Sequence, residues 1–332
     1  MSKILITGGA GFIGLNVAVE FLKNNHEIVI VDDLKNSYIS HFNSLKKEFK
    51  NTLNFYKGNV CNTSFMDKVF KETKPEVVIH LAAKKYVAES IVKPKEYMQN
   101  NLNSLTTVLQ LCKKHKIKKF AFSSTSVVYE NLVNHSFVET DPTKGLNPYA
   151  ISKCECEKII KKWFNETQIS TIIFRFTNPV GSNLEYMLGD HSKKKKIQLI
   201  PYVVNSAINN NKITLRGNTY NTPDGTPIRS FIHITDLAKS VYVAVNNFNG
   251  KLEVFNIGNE NLELSTKQIV LATEKEIGHP INYDFTAANN QENAKVSCNC
   301  DKFKQTFNYK NQFSINDIIN SQINFDKEIN KK

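Results

Sequence analysis

Short apolar runs alternate with amphipathic stretches along the first half of the chain. The apolar runs end at glycine, proline or polar residues, as buried strands do, and the stretches between them repeat apolar residues at helical spacing. The predicted strands are Lys3–Thr7, Glu27–Val31, Leu53–Tyr56, Val77–Leu81, Lys119–Ser123 and Thr171–Phe176. The predicted helices are Phe12–Asn24, Ser64–Glu72, Pro94–Lys114 and Pro148–Asn165. This alternation predicts an α/β fold with a doubly wound parallel sheet.

The pattern loosens after about residue 177. Loops follow, with a predicted helix at Pro201–Asn209, and Phe231–Val245 is regular again as a strand followed by a helix. Val254–Gly258 is a further predicted strand, and the remaining residues mix α and β. The second half therefore predicts a smaller mixed α/β unit, part of which returns to the large sheet.

Length and composition allow two domains that share a cleft. The chain has 332 residues, of which 41% are hydrophobic, and this is enough to bury a substantial core. We predict that the large α/β domain comprises residues 1–176, with 230–260 returning to it, and that the smaller mixed α/β domain comprises residues 177–229 and 261–325.

The net charge of +12 raises the question of an anionic partner. The basic residues cluster at Lys113–Lys119, which continues a helical pattern, and at Lys193–Lys196, which is typical of a surface loop. Neither cluster forms a basic stripe interleaved with aromatic residues, so we do not expect a nucleic-acid partner. The charge also suits a phosphorylated substrate.

Six cysteines occur without the spacing of a metal site or a disulfide framework. No pair has C-x-x-C spacing, so we expect no metal and predict free thiols in a reducing compartment. No apolar run reaches the roughly 20 residues that a membrane helix needs, and no signal-peptide pattern precedes the first strand. We therefore expect a soluble cytoplasmic protein with no membrane partner. The cysteines are Cys61, Cys112, Cys154, Cys156, Cys298 and Cys300.

Glycines join the first predicted strand to the first predicted helix. Gly8, Gly11 and Gly14 lie between Thr7 and the helix, and Gly9, Gly11 and Gly14 also satisfy G-x-G-x-x-G. Glycine lets the backbone turn sharply and approach a pyrophosphate closely, and the helix N-terminus offers free N–H groups and a positive dipole end. A glycine loop between a strand and a helix is typical of a dinucleotide-binding Rossmann fold.

An acidic residue ends the second predicted strand. Asp32 stands where a carboxylate accepts hydrogen bonds from both hydroxyls of an adenosine ribose. The same carboxylate would repel a 2′-phosphate. The sequence therefore predicts NAD as cofactor, in preference to NADP.

A tyrosine and a lysine share one face of the helix that starts at Pro148. Tyr149 and Lys153 are i and i+4, and a nearby ammonium would lower the pKa of the phenol and make it a usable base. The pattern Y-x-x-x-K alone is common and gains weight from its place after the fifth strand. Thr125, just past that strand, could hydrogen-bond both the phenol and a substrate oxygen, or simply satisfy the strand end.

With these motifs the chain resembles the extended short-chain dehydrogenase/reductase family, and within it the UDP-glucose 4-epimerase (UDP-galactose 4-epimerase) branch. The likeness runs from Lys3 to about Ile318. The motifs that carry it are Thr7–Gly14, Val31–Leu34 with Asn36–Ser37, His80–Lys85 with Glu89–Ser90, Asn100–Asn101, Pro148–Tyr149 with Ser152–Lys153, Asn178–Gly181, Asp224–Thr226 and Arg229–His233.

The resemblance implies a mechanism and a set of site residues. Tyr149 takes the proton of the sugar 4-hydroxyl, the C4 hydride passes to a tightly bound NAD, and the 4-keto sugar rotates before the hydride returns to its other face. Lys153 also binds the nicotinamide ribose, and Thr125 stands where the family has Ser or Thr. The other implied cofactor residues are Phe12, Ile13, Asn36, Ser37, Asn59, Val60, Leu81, Ala82, Ala83, Lys85 and Asn100. The implied residues for the UDP-sugar are Asn178, Gln198, Leu199, Arg216 and Arg229.

Other readings remain open beside a UDP-hexose 4-epimerase. A nucleotide-sugar 4,6-dehydratase would carry an Asp-Glu pair after the threonine, but Ser126 and Val127 stand there and cannot move a proton at neutral pH. A reductase or another epimerase of the same fold, and a non-catalytic nucleotide-binding protein, are further alternatives. The family commonly pairs through two helices, here Pro94–Lys114 and Pro148–Asn165, so we expect a homodimer.

Two positions bear on ligand recognition. One departs from the family pattern, and at the other the size of the residue affects which sugar fits. The region Ala288–Glu292 lacks the arginine that usually grips the pyrophosphate, and Arg216 is a candidate to compensate. Val296 falls, by an ungapped count, where residue size sets the room for a 2-acetamido group. A small residue there predicts that N-acetylhexosamine forms are also accepted.

Overall fold

The strands and helices follow the predicted alternation. The computed structural model describes residues 1–130, 135–191, 193, 198–288 and 294–331. The strands are β1 (Lys3–Thr7), β2 (Glu27–Asp32), β3 (Leu53–Lys57), β4 (Val77–His80), β5 (Lys119–Thr125), β6 (Ser136–Phe137), β7 (Ser170–Phe176), β8 (Asn178–Val180), β9 (Ile213–Arg216), β10 (Ile228–His233), β11 (Leu252–Ile257), β12 (Asn259–Ser265), β13 (Tyr283–Thr286) and β14 (Lys295–Cys298). The helices are α1 (Phe12–Lys23), α2 (Ile39–Glu48), α3 (Thr63–Thr73), α4 (Val87–Val92), α5 (Pro94–Lys114), α6 (Pro148–Thr167), α7 (Leu199–Ile208), α8 (Ile234–Asn247), α9 (Thr266–Ile277), α10 (Asp301–Phe307) and α11 (Ile315–Asn330).

The predicted doubly wound sheet is confirmed. Its strand order is β11-β7-β5-β4-β1-β2-β3, and every neighbouring pair is parallel. The chain builds outward from β1 to β3 and then returns to place β4 on the other side of β1. Ligands bind at such a switch point, outside the carboxyl ends of the strands.

The fifth strand is longer than the sequence predicts. We expected it to end at Ser123 with Thr125 beyond it, but β5 runs to Thr125 because Ser124 and Thr125 pair in register with Arg175 and Phe176 of β7. Thr125 is therefore the last residue of a central strand.

The second half of the chain builds two smaller sheets. A five-stranded sheet has the order β12-β10-β14-β6, with β8 paired to β10, and β9 pairs with β13 in a two-stranded sheet. The return to the large sheet is made by α8, which packs against α1, and by β11, which pairs with β7.

Helices cover both faces of the large sheet. One face packs against α1 and α8, with Phe21 and Val241 fully buried, and the other packs against α3, α5 and α6, with Phe70 and Ile160 fully buried. A third core joins α7, α9 and α11 to the five-stranded sheet. Across the described residues, no helix is both long and apolar enough to cross a membrane.

Two buried histidines predict acid sensitivity. Burial lowers the pKa of His80 to about 3 and the pKa of His233 to about 4, from an ordinary value of 6.5. Below about pH 6.5 the unfolded chain therefore binds protons that the folded chain refuses. We expect the free energy of unfolding to fall toward pH 4, by up to about 1.4 kcal/mol per pH unit for each histidine. Urea unfolding between pH 7 and pH 5 measures this slope.

Two histidine variants, one at a buried position and one at a partly exposed position, test whether the buried histidines cause this dependence of the free energy of unfolding on pH. His233→Gln should remove the part of the slope that His233 contributes, because it deletes one buried titrating group. His279→Gln, which changes a partly exposed histidine after α9, should leave the slope at its wild-type value. An equal slope in all three proteins would contradict the assignment to buried histidines.

Candidate active site

A cavity of about 660 Å³ opens at the carboxyl ends of the strands around the switch point. Its wall contains every cofactor residue that the sequence predicts. These are Gly8, Gly11, Phe12, Ile13, Gly14, Asp32, Asn36, Ser37, Asn59, Val60, Leu81, Ala82, Ala83, Lys85, Asn100, Tyr149 and Lys153. Residues far apart in sequence are thus brought to one surface by the crossover between β1 and β4.

The glycine loop is held too tightly for side chains at two of its positions. Gly8 has a φ of +67°, and a Cβ there would lie 2.8 Å from the backbone of Ala82. A Cβ on Gly14 would lie 2.6 Å from the carbonyl oxygen of Gly8 and from the Cα of Gly9. These glycines let the loop between β1 and α1 pack against the neighbouring backbone.

The N-terminus of α1 faces the cavity without a side-chain cap. Gly11 is the N-cap residue, no side chain accepts a hydrogen bond from the first turn, and that turn has no acidic residue. The free N–H groups and the positive end of the helix dipole therefore favour an anion here. This arrangement fits the pyrophosphate of a dinucleotide.

Asp32 lies at the end of β2 with both carboxylate oxygens already fixed. Oδ2 accepts from the Ala10 N–H at 3.2 Å and Oδ1 accepts from the Leu34 N–H at 2.8 Å. Burial raises the pKa of Asp32, and these two backbone hydrogen bonds act in the opposite direction. Each oxygen keeps a lone pair for a further donor, so the geometry fits a ribose diol.

The three predicted catalytic residues converge at the end of β5. The Thr125 hydroxyl hydrogen-bonds the phenol of Tyr149. The Lys153 ammonium donates to the carbonyl of Ser123 at 2.7 Å and lies 4.5 Å from the centre of the Phe122 ring. All three side chains border the cavity.

The sequence predicts that Lys153 lowers the pKa of Tyr149. This prediction is wrong, because the pKa of Tyr149 is raised in the structure. Burial raises the pKa of Tyr149 to about 12, against the opposing effect of the hydrogen bond from Thr125. Burial also lowers the pKa of Lys153 to about 8. The physical reason is that the ammonium is bound to the Ser123 carbonyl, while the phenol is buried.

Two of the five predicted substrate residues border the cavity and three do not. Asn178 and Gln198 are in its wall, with the Asn178 amide donating to the Ser230 carbonyl at 2.9 Å. Leu199 begins α7 and packs against the cores around that helix, and Arg216 lies on an exposed position of β9. Arg229 donates from Nη1 to the Ile228 carbonyl at 2.8 Å.

Two further positions bear on phosphate and sugar recognition. Residues 289–292 of the arginine-free region are outside the described residues. Val296 lies in β14, opposite Arg229 of β10, and does not border the cavity. The prediction that a small residue at Val296 admits a 2-acetamido group stays a prediction.

Sequence reasoning missed part of the cavity wall. Phe176 ends β7 and Thr177 follows it, and the rule that strand ends face the ligand crevice could have found them. His41 and His191 have no local signal, because they are 150 residues apart and meet only in the fold, with Nε2 of His41 at 3.0 Å from Nδ1 of His191.

Comparison with known proteins agrees with this geometry. The sequence profile of the NAD dependent epimerase/dehydratase family matches residues 4–258. The chain belongs to this family. A curated epimerase-family relative, the UDP-glucose 4-epimerase of Dictyostelium discoideum, is 34% identical over 261 residues, which cover 77% of this chain and 76% of the relative.

Further members of the epimerase family cover more of the chain. The UDP-glucose 4-epimerase of Bacillus subtilis (strain 168) is 33% identical over 287 residues, or 85% of this chain and 84% of that protein. The crystal structure of UDP-glucose 4-epimerase from Bifidobacterium longum in complex with NAD+ and UDP has a TM-score of 0.93 and 32% identity over 98% of each chain.

Proposed function

We propose that the protein is an NAD-dependent UDP-hexose 4-epimerase that interconverts UDP-glucose and UDP-galactose through a 4-keto intermediate. The observation that carries the proposal is the convergence of Thr125, Tyr149 and Lys153 in the same cavity as the glycine loop and Asp32. The UDP-glucose 4-epimerases to which the chain is similar support the substrate class.

The catalytic residues have separate tasks in this reaction. Tyr149 removes the proton from the sugar 4-hydroxyl and returns it after the sugar has rotated. Thr125 donates a hydrogen bond that stabilises the phenolate, and Lys153 binds the nicotinamide ribose beside it. Bound NAD supplies a reversible acceptor for the hydrogen at C4, and its positively charged ring favours the phenolate form of Tyr149.

The remaining predicted site residues bind and orient the two ligands. Residues 1–176, together with 230–260, would hold the cofactor, with the N-terminus of α1 available to its pyrophosphate and Asp32 to its adenosine ribose. Residues 177–229 and 261–325 hold the UDP-sugar. The predicted nucleotide ligands in that part are Asn178, Gln198, Leu199, Arg216 and Arg229.

A direct assay separates this function from its alternatives. The purified protein is incubated with UDP-glucose, UDP-galactose or their N-acetyl forms, and the C4 epimer is followed by proton NMR. Epimer formed without added NAD supports the proposal, and a 4-keto-6-deoxy product would indicate a dehydratase. The second outcome is disfavoured because Ser126 and Val127, which border the cavity beside Thr125, cannot move a proton at neutral pH. Bound NAD without turnover would indicate a nucleotide-binding protein.

Two residues of the second half of the chain, His191 and Lys193, contact the loop after β2, which borders the cofactor part of the cavity. The Lys193 ammonium donates to the Leu34 carbonyl at 2.8 Å, and the Lys193 N–H donates to the Asn36 carbonyl at 3.0 Å. His191 is stacked on Tyr38 with ring centres 4.6 Å apart. These contacts hold His191 and Lys193 beside the loop after β2, and we expect them to slow the release of a bound dinucleotide.

We therefore expect the protein to purify with about one NAD per chain. A 4-epimerase reoxidises its cofactor in each turnover, so retention has no kinetic penalty. Acid release followed by an enzymatic NAD assay measures the content. His191→Ala should release NAD faster during dialysis, whereas His279→Ala should behave as wild type. An apo preparation that needs millimolar NAD would contradict the expectation.

We also propose a homodimer formed through α5 and α6, which pack side by side. Their outward surface leaves Ile151 38% exposed and Leu102 and Ile159 half-buried. Ile151→Glu should shift the mass measured by light scattering from dimer to monomer. Leu271→Glu, at an exposed position of α9, should leave the mass unchanged, and a monomeric wild-type protein would overturn the proposal.

We place the protein in the cytoplasm, with a UDP-sugar as its small-molecule partner. All six cysteines are free, which suits a reducing compartment. Within the described residues, no three potential metal-ligating side chains lie together. In the proposed chemistry Tyr149 transfers the proton, and NAD would accept and return the hydrogen at C4.

A further inference from the structure

One face of α6 carries three polar side chains spaced four residues apart. Tyr149, Lys153 and Glu157 project toward the large sheet from successive turns. The first two contact the end of β5 through Thr125 and the Ser123 carbonyl, as described above. Glu157 has no place in the proposed proton transfer, and yet it continues the same row.

Glu157 joins α6 to two neighbouring strands. Its Oε1 accepts from the Ser124 hydroxyl at 2.5 Å and from Arg175 Nε at 3.1 Å, and its Oε2 accepts from Arg175 Nη2 at 2.7 Å. Ser124 and Arg175 are register partners on β5 and β7, so both side chains leave the same face of the sheet. Ser124 lies between Ser123 and Thr125, and a tether on it therefore fixes both contacts of the catalytic pair.

The ion pair is buried and fully bonded. The Glu157 and Arg175 side chains are 3% and 2% exposed. Arg175 Nη1 donates to the Glu139 carbonyl at 3.0 Å, and the guanidinium lies 4.8 Å from the centre of the Tyr129 ring. A buried ion pair adds little net stability over packed apolar residues, because the loss of hydration offsets the attraction. Stability alone therefore does not explain a carboxylate at this place.

Glu157 also provides a negative charge one helical turn from Lys153. Burial lowers the pKa of Lys153 to about 8, while Cys156 and Glu157 act in the opposite direction. Burial raises the pKa of the Cys156 thiol to about 11 and lowers the pKa of His80 to about 3, so both are neutral near pH 8. With Tyr149 protonated there, Glu157 is the charged partner that acts on Lys153 among the described residues.

We propose that Glu157 is a positioning residue for Tyr149 and Lys153, which holds the end of β5 against α6 through Ser124 and stabilises the ammonium form of Lys153. The kinetic part of this inference rests on the proposed epimerase function. The effect on Lys153 is a property of the folded chain, and it can be measured without turnover.

Titration of Lys153 tests the electrostatic part directly. Carbon-13 at lysine Cε gives an NMR signal for each lysine, and Lys153→Arg assigns the relevant one. In Glu157→Gln we expect the acid dissociation constant of Lys153 to rise by about tenfold, because an opposite charge one helical turn away is lost. Glu155→Gln is the matched control, since Glu155 is on the same helix and pairs with Lys158 at 2.8 Å. An unchanged Lys153 titration in Glu157→Gln would overturn this part.

A second variant covers the case in which Glu157→Gln does not fold because Arg175 is left unpaired. Glu157→Gln combined with Arg175→Gln removes both charges and can keep a hydrogen bond between the two amides. The double variant should show the same displacement of the Lys153 titration. If the double variant folds and Lys153 titrates in it as in the wild type, the proposed electrostatic role of Glu157 is overturned.

Ser124→Ala tests the mechanical part, because it cuts the tether and leaves the ion pair intact. We expect kcat to fall by about tenfold, with the KM for UDP-glucose and the Lys153 titration unchanged. In Glu157→Gln the alkaline limb of the kcat profile should move to lower pH. An unchanged kcat in Ser124→Ala would overturn the positioning role.

A wild-type protein that does not epimerise would overturn the proposed function instead, and the Lys153 titration would still decide the role of Glu157.

Discussion

Tyr149→Phe should lower the rate of epimerisation by about 10³-fold and leave NAD bound. Loss of a general base costs this order of magnitude, because the proton on the sugar 4-hydroxyl then has no acceptor in reach. Phenylalanine keeps the ring and its packing, and the change removes one oxygen atom. We propose that the cofactor is held mainly elsewhere, by the glycine loop and by Asp32, so its content should not change.

The surroundings of Tyr149 explain why the whole rate depends on one oxygen atom. Thr125 hydrogen-bonds this phenol, and Ser126 and Val127, next in the cavity wall, offer no replacement base. Since Tyr149 acts as the base only when it is ionised, the acidic limb of the kcat profile of the wild type should follow the ionisation of this phenol, whose pKa burial raises. The residual rate of Tyr149→Phe should lose this dependence on pH.

Reaction samples quenched at intervals and analysed by proton NMR give the rates of the wild type and of Tyr149→Phe with UDP-galactose as substrate. Acid release measures the NAD content. Tyr242→Phe is the matched control, because Tyr242 packs against Phe21 on α1, away from the cavity. It should keep the wild-type kcat. Activity of Tyr149→Phe within tenfold of the wild type would show that another group is the base.

The large sheet could be predicted because its central strands are buried on both faces. Every residue of Ser170–Phe176 is buried, so the strand reads as an apolar run despite Arg175. A parallel sheet between two layers of helices gives this pattern throughout. The two-residue strand β6 and the short strand β8 gave no such signal, because pairing with distant segments defines them.

Helix α2 was missed for a related reason. Phe42 and Leu45 are its only buried residues, so its sequence has too few apolar positions to show helical spacing. The end of β5 was missed because Ser124 and Thr125 are polar. They continue the strand only because β7 lies beside them, and a pattern along one segment does not contain that information.

The same distinction separates the two halves of the candidate site. Most of the predicted cofactor residues lie at strand ends or in the short connections directly after them, where the position of the backbone follows from the fold. Leu199, Arg216 and Arg229 were assigned across long connections, whose path the sequence pattern does not determine. The contact between His41 and His191 likewise depends on how the second half of the chain folds back over the first.

Gly11→Ala and Gly14→Ala should separate cofactor binding from folding. Gly11 has a φ of −78°, which any residue adopts, and an added Cβ would meet its nearest atom, the Gly8 carbonyl oxygen, at 3.3 Å. The fold should therefore tolerate alanine at this position. The new methyl group would stand at the N-cap of α1, where we propose that the pyrophosphate binds.

Gly14→Ala acts on the fold itself. Alanine is favoured over glycine inside a helix by about 1 kcal/mol, but the added Cβ would lie 2.6 Å from two backbone atoms of the loop. Neither the Gly8 carbonyl nor the Gly9 Cα can move without displacing the turn between β1 and α1. We expect the free energy of unfolding to fall by about 2–4 kcal/mol, with NAD binding lost as a consequence.

Calorimetric titration of NAD into stripped protein and urea unfolding of the same samples measure the two effects. Gly11→Ala should weaken NAD by about 10²–10⁴-fold, the value of one or two charge-assisted hydrogen bonds to phosphate, with unfolding close to wild type. Gly14→Ala should lose both properties, and each variant is the control for the other. Wild-type NAD affinity in a folded Gly11→Ala protein would mean that the pyrophosphate does not approach Gly11. The uncapped N-terminus of α1 would then need another anion to account for its exposure to the cavity.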